Sequence, residues 1–118
     1  MDASLALFNL TRGSTLAQKV YVACGFFQKA AGLLTRSPLE AGEALLIPSI
    51  CPQVHTFFMG YAIDLVFLNS QNNVVGLETL NPWRLSRIYW RANKVVELTA
   101  GVTAKSATEM GDKMEFRD

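Results

Sequence analysis

The sequence predicts a mostly β fold: a small single-domain β-sandwich or barrel of about seven or eight short strands with one or two short helices. Three observations carry this. Short runs of β-branched and aromatic residues recur along the chain. Gly, Pro, Asn and Ser punctuate them. Only one stretch has clear helical spacing. The 118 residues suit one domain, 1–118, which buries about two-thirds of its unfolded surface and needs no staples.

Each element follows from local chemistry. Residues 5–11 and 16–23 are β-favouring runs separated by Arg12-Gly13-Ser14, a strand pair with a short turn. Gly25 ends that pattern. Phe26, Ala30, Leu33 and Leu34 then stand at i, i+4, i+7 and i+8, one apolar stripe on a short helix that Ser37-Pro38 stops. Ala44–Ile47 reads as a strand closed by Pro48, and Val54–Met59 as another. Ile63–Leu68 is apolar except at Asp64, the pattern of a strand buried on both faces. Asn69-Ser70-Gln71-Asn72-Asn73 is turn chemistry, with Val74–Leu80 as the return strand. Asn81-Pro82 breaks it, and 83–93 is irregular or a short helix. Lys94–Thr99 is a strand ended by Gly101. Residues 103–110 form one or two helical turns, Gly111-Asp112 a turn, and Lys113–Phe116 a final strand.

Composition excludes several classes. Apolar residues at 50% and charged residues at 18% exclude a disordered chain. A net charge of +1 argues against nucleic acid as a partner. Two cysteines are too few for a disulfide scaffold. The N-terminus opens on Met1-Asp2-Ala3 without a basic region, so a cytoplasmic protein is expected. Asn9-Leu10-Thr11 fits a glycosylation acceptor, which means little without export. Ala44–Ile63 carries no formal charge over the length of a membrane span, but Pro48 and Pro52 would break a spanning helix, so no span is expected.

The chemistry-bearing cluster is Cys51, His55, Thr56, Met59 and Asp64. Cysteine, histidine and methionine form a soft set suited to Cu(I). A blue-copper site needs a second histidine, and His55 is the only one. Four residues of extended chain also span about 13 Å, too far for neighbouring members of the trio to share a metal. A nucleophilic reading makes Cys51 the nucleophile, His55 the base and Asp64 the orienter. The plainer reading has Asp64 and His55 hydrogen-bonded within the core. A buried carboxylate must find donors, and backbone amides, Thr56 or His55 are candidates.

Asn81 to Lys94 holds four basic residues, no acid and both tryptophans. Arg84, Arg87 and Arg91 would share a face on a helix. Arginines beside aromatics bind phosphate or stack bases; alternatively their stems and rings cover one end of the barrel.

An ordered set of residues runs through the chain. It comprises Gly32-Leu33-Leu34, Gly42-Glu43-Ala44-Leu45-Leu46-Ile47, Cys51-x-x-Val54-His55-Thr56-x-x-Met59, and Ile63-Asp64-Leu65-Val66-Phe67-Leu68-Asn69. Val74-Val75, Pro82-Trp83-Arg84, Val96-Glu97-Leu98-x-Ala100-Gly101 and Gly111-Asp112 follow. The set resembles the prokaryotic family catalogued as domain of unknown function 192, in its His-Thr-bearing branch, over roughly 32–116. The resemblance implies a compact, mostly β fold of sandwich or barrel type and carries no activity with it. Gly60 stands where the family often has a basic residue. Asn69 and Asn72-Asn73 stand where its turn usually has aspartate and glycine.

The expectation is therefore a non-enzymatic β-domain that binds a small molecule or a protein through a cleft lined by Cys51, His55, Thr56, Met59, Asp64 and Arg84. No catalytic residue, metal or cofactor is assigned. The alternatives are a thiol-dependent enzyme using Cys51 and His55, and a Cu(I)-binding protein.

Overall fold

A computed structural model describes residues 5–22, 39–48, 54 and 60–118. Seven strands form one curled sheet in the order β5-β4-β6-β3-β2-β1-β7. They are β1 (Leu5–Asn9), β2 (Ser14–Val22), β3 (Glu43–Pro48), β4 (Ile63–Leu68), β5 (Val74–Leu80), β6 (Lys94–Thr99) and β7 (Met114–Arg117). One helical turn, α1 (Val102–Lys105), follows β6. All neighbouring pairs are antiparallel except β2 and β3. The expected mostly β barrel-type fold is what is observed. The helix expected from Phe26 and the strand expected over 55–59 lie outside the described residues.

The turns follow from their residues. Gly13 takes φ 69° and closes the β1–β2 hairpin by donating its amide to the Asn9 carbonyl at 2.9 Å. In the β4–β5 turn the Asn69 side chain accepts from the amides of Gln71 and Asn73 at 3.0 and 2.9 Å. Asn72 adopts φ 62°, a conformation asparagine tolerates better than most residues. The asparagines in place of aspartate and glycine therefore still build a tight turn.

The strand pattern places two cores on the two faces of the sheet. The inner core takes Leu7, Leu16, Val20, Ala44, Val66, Leu68, Val74, Val96, Leu98 and Met114. Every strand contributes, so this is the inside of the curl. The two edge strands meet at one corner through the Asn73–Lys113 bridge. There Val74 donates to the Asp112 carbonyl at 2.9 Å, and Gly111 to the Val74 carbonyl at 2.8 Å. The sheet is thus a half-barrel closed at this corner and open at the other end, where β4 begins and β6 finishes.

The outer core packs Leu45, Ile47, Ile63, Leu65, Phe67, Leu80 and Val95. β4 serves both cores and is buried at every position, as its unbroken apolar run predicts. Residues 81–93 lie over the outer face as a strap that contains no helix. The helix weighed for 83–93 is corrected here. Pro82 and Trp83, the latter at φ 63°, turn the chain away from helical geometry. Long-range bonds then hold the backbone out: Ser86 exchanges hydrogen bonds with the Val54 backbone at 2.8 and 2.9 Å, and the Arg87 amide donates to Glu78 at 2.8 Å. The Tyr89 ring covers Gly76 and tilts against Phe67 at 4.2 Å between centroids.

Candidate functional site at the open end of the half-barrel

Asp64 is the first inward-facing residue of β4. Its register partners are Thr79 on β5 and Leu98 on β6. The side chain is fully buried. The Thr79 hydroxyl donates to Oδ1 at 2.7 Å. Oδ2 accepts from the amides of Gly101 and Thr103 at 3.1 and 3.0 Å and from the Thr103 hydroxyl at 2.8 Å. Gly101, at φ 100°, turns the chain so that its amide faces inward. The carboxylate therefore ties the turn after β6, and the start of α1, to the body of the sheet.

That turn forms one wall of a groove of about 470 Å3. The other wall is the first half of β2. The groove exists because β3 begins late: Glu43 pairs with Lys19, which leaves Ser14 to Gln18 without a β3 neighbour. Ser14, Thr15, Gln18, Thr99, Val102 and Lys105 are among its lining residues. The Ser14 hydroxyl donates to the Ser106 carbonyl at 2.7 Å and braces one wall against the other. Lys105 is exposed and is the single charged residue among the described lining residues. A second cavity of about 160 Å3 shares Thr99 and Ala100 with the groove and is lined by Leu39, Tyr61, Ile63 and Leu98. The volume of the larger one suits a small ligand, since such sites run about 300–1,000 Å3. Its hydroxyls, amide and lysine can hydrogen-bond and neutralise an anionic group.

Of the residues singled out from the sequence, Cys51, His55, Thr56 and Met59 lie outside the described residues. Asp64 stands beside the groove, and its donors are two backbone amides and two threonine hydroxyls. Arg84 belongs to the strap on the outer face and is exposed. Asp64 points to the inner face, and Arg84 is not among its partners.

Sequence reasoning passed over three polar positions. Glu97 is fully buried on the outer-core side of β6, opposite Leu45 and Leu65. Its signal is the one that picked out Asp64, a lone acid in an apolar strand. Lys105 had no signal, because the groove it lines depends on strand offsets. Asp112 was read only as turn chemistry. It is buried, and its Oδ2 accepts from the Asn9 amide at 2.9 Å, Arg12 Nε at 3.1 Å and the Glu109 backbone amide at 2.9 Å. Burial pushes the Asp112 carboxyl up, but the bonds from Arg12, Asn9 and Glu109, with the Arg12 charge, outweigh it and hold it below the usual range. The Asn9 amide also donates to Thr108 at 3.1 Å, so the acceptor-like Asn9-Leu10-Thr11 has its asparagine committed to the corner.

On the outer face the Tyr89 hydroxyl donates to Glu78 at 2.8 Å. Burial, then the hydrogen bond and charge of Glu78, push the phenol up to about 12.

The inner core, the closed corner and the open-end groove define a small half-barrel β-domain with one pinned turn at its mouth. Among the described residues no helix is long and apolar enough to cross a membrane. The chain belongs to the domain of unknown function 192 family, described as Uncharacterized ACR, whose model matches residues 8–116. The match begins earlier than the resemblance over 32–116 and takes in the end of β1 and all of β2. A relative from Pyrococcus furiosus, UPF0127 protein PF1050, is 34% identical over 113 residues, covering 93% of this chain and 97% of its own. A solved protein of unknown function from Novosphingobium aromaticivorans superposes with a TM-score of 0.77 at 18% identity, covering 94% of this chain and 82% of its own. A candidate transcription regulator from Sinorhizobium meliloti 1021 gives a TM-score of 0.76 at 20% identity, covering 95% and 91%. At those identities the two structures show the shared fold.

Proposed function

We propose that the protein is a non-enzymatic binding module whose open-end groove takes a small molecule bearing an anionic group. The observation that carries this reading is the groove itself: about 470 Å3, lined by Ser14, Thr15, Gln18 and Thr99, with Lys105 as its charged residue. Asp64 supports it by holding the Gly101–Thr103 wall in place before any ligand arrives, which lowers the ordering cost of binding. Cys51, His55, Thr56 and Met59 join the proposal as further ligand contacts on the strength of their sequence pattern, whereas Arg84 sits on the outer-face strap, away from the groove.

Calorimetric titration with citrate, inorganic phosphate and adenosine monophosphate tests the reading. At least one probe binds one-to-one, and Lys105→Glu weakens it by about tenfold or more, since a like charge replaces the lysine. Lys105 is exposed and makes no ion pair among the described residues, so the variant keeps the wild-type unfolding temperature. The same titration on His55→Ala and Cys51→Ser reads the contribution of that pair. Failure of all three probes to bind, or binding indifferent to Lys105→Glu, overturns the groove as the site.

A further inference from the structure

The two cavities at the open end differ in chemistry. Hydroxyls, Gln18 and Lys105 line the groove. Leu39, Tyr61, Ala62, Ile63 and Leu98 line the smaller cavity, with no charged side chain among its described lining. Ile63 and Leu98 are buried, so this cavity reaches the core, while Leu39, Tyr61 and Ala62 are half-buried. Two stretches of chain border both spaces. Thr99 and Ala100 line each of them. The segment leading into β3 does the same, with Leu39 on the cavity and Ala41 and Gly42 on the groove. A ligand seated in the groove therefore has the cavity as its neighbour across Thr99 and Ala100.

We infer that the ligand is an arylalkanoate-type anion, with its carboxylate facing Lys105 in the groove and its single ring filling the smaller cavity. The inference rests on the groove being the ligand site and narrows that ligand to one chemical class. Size and lining select the occupant. A cavity of about 150 Å3 lined by aliphatic and aromatic side chains holds one benzene ring. The smaller cavity measures about 160 Å3 and has that kind of lining. It admits one ring and stops short of a long acyl chain. An ionised end would lose its hydration there without a charged partner, so it belongs in the groove beside Lys105. The groove alone takes any small anion. The ring-sized apolar space beside it adds a preference that phosphate and citrate cannot satisfy, because only a ring removes that apolar lining from water.

Amide chemical-shift titration with acetate, phenylacetate and 3-phenylpropionate, beside phosphate and citrate, tests the inference. At least one ring-bearing acid binds about tenfold or more tightly than acetate, the gain expected for burying one ring. Ring-current shifts appear at Ala62, Ile63 and Leu98 with that acid and not with acetate. Benzyl alcohol, which has the ring without the charge, binds about tenfold or more weakly than that acid. Ala62→Leu narrows the cavity and removes the gain, while acetate and phosphate bind as they do to the wild type, which also shows that the variant is folded. Leu39→Trp fills the cavity from a second position and does the same. Three results overturn the inference: equal binding of the ring-bearing acids and acetate, benzyl alcohol binding as tightly as the acids, or a gain that both variants leave intact. Phosphate or citrate binding that persists in those cases leaves the groove reading standing. Shifts with none of the anions overturn both.

Discussion

Replacing Asp64 with alanine removes the acceptor for two backbone amides and two hydroxyls in a fully buried position. The amides of Gly101 and Thr103 sit 3.1 and 3.0 Å from Oδ2 and are fixed by the turn, so they cannot rotate to new partners. Each buried amide left unsatisfied costs about 1–3 kcal/mol. The hydroxyls of Thr79 and Thr103 can turn, and Thr79 is itself exposed, so they add less. Asp64→Ala is therefore expected to cost about 3–5 kcal/mol, a large share of the roughly 5–15 kcal/mol of a whole domain. Asp64→Asn keeps the shape and one acceptor oxygen. That oxygen can serve the Gly101–Thr103 side while the new amide donates to a rotated Thr79 hydroxyl, at a cost of about 1–2 kcal/mol. Urea unfolding followed by far-UV circular dichroism reads both values. A cost below about 1 kcal/mol for Asp64→Ala would refute the reasoning, because the four bonds would then be replaceable by water.

Asp112→Asn is expected to lower stability by about 1–2 kcal/mol at neutral pH, read as a shifted urea midpoint. The folded carboxyl is held below its usual value, so its contribution is complete above about pH 4 and fades as the pH falls through the folded value; the gap between wild type and variant should close in that window. At Gly76 an added Cβ would stand 2.4 Å from the Tyr89 ring, so Gly76→Ala costs about 2–3 kcal/mol. That cost shrinks in a Tyr89→Ala background, and a double-mutant cycle checks it. Tyr89, pushed up to about 12, is expected to ionise well above the ordinary tyrosine range by absorbance. The stability held in its neutral form is complete below about pH 10 and is lost as the pH rises toward that value, a loss that Tyr89→Phe removes.

The strands were legible because their period is local. Val74–Leu80 and Lys94–Thr99 are short runs rich in Val and Leu bounded by turn residues, and Ile63–Leu68 has no polar side to show except Asp64. The strap was not legible in the same way. Arg84, Arg87 and Arg91 fit a helical face, but the backbone is claimed by Val54, Glu78 and Leu68, none of which the local pattern reveals. Asp64 stood out as a lone acid, and its need for donors follows from burial alone. Which donors it finds depends on registers that bring Thr79 from 15 residues away and Thr103 from 39. The groove was invisible because no residue announces it. It follows from β3 starting opposite Lys19, an offset between two strands that are distant in the chain.

The most direct measurement is amide chemical-shift mapping during titration with the tightest-binding of the three anions. The account predicts saturable shifts that include both Ser14–Gln18 and Thr99–Lys105, strongly weakened by Lys105→Glu and broadened over Gly101–Thr103 in Asp64→Asn. Saturable shifts that leave both walls untouched and gather elsewhere on the chain would contradict it.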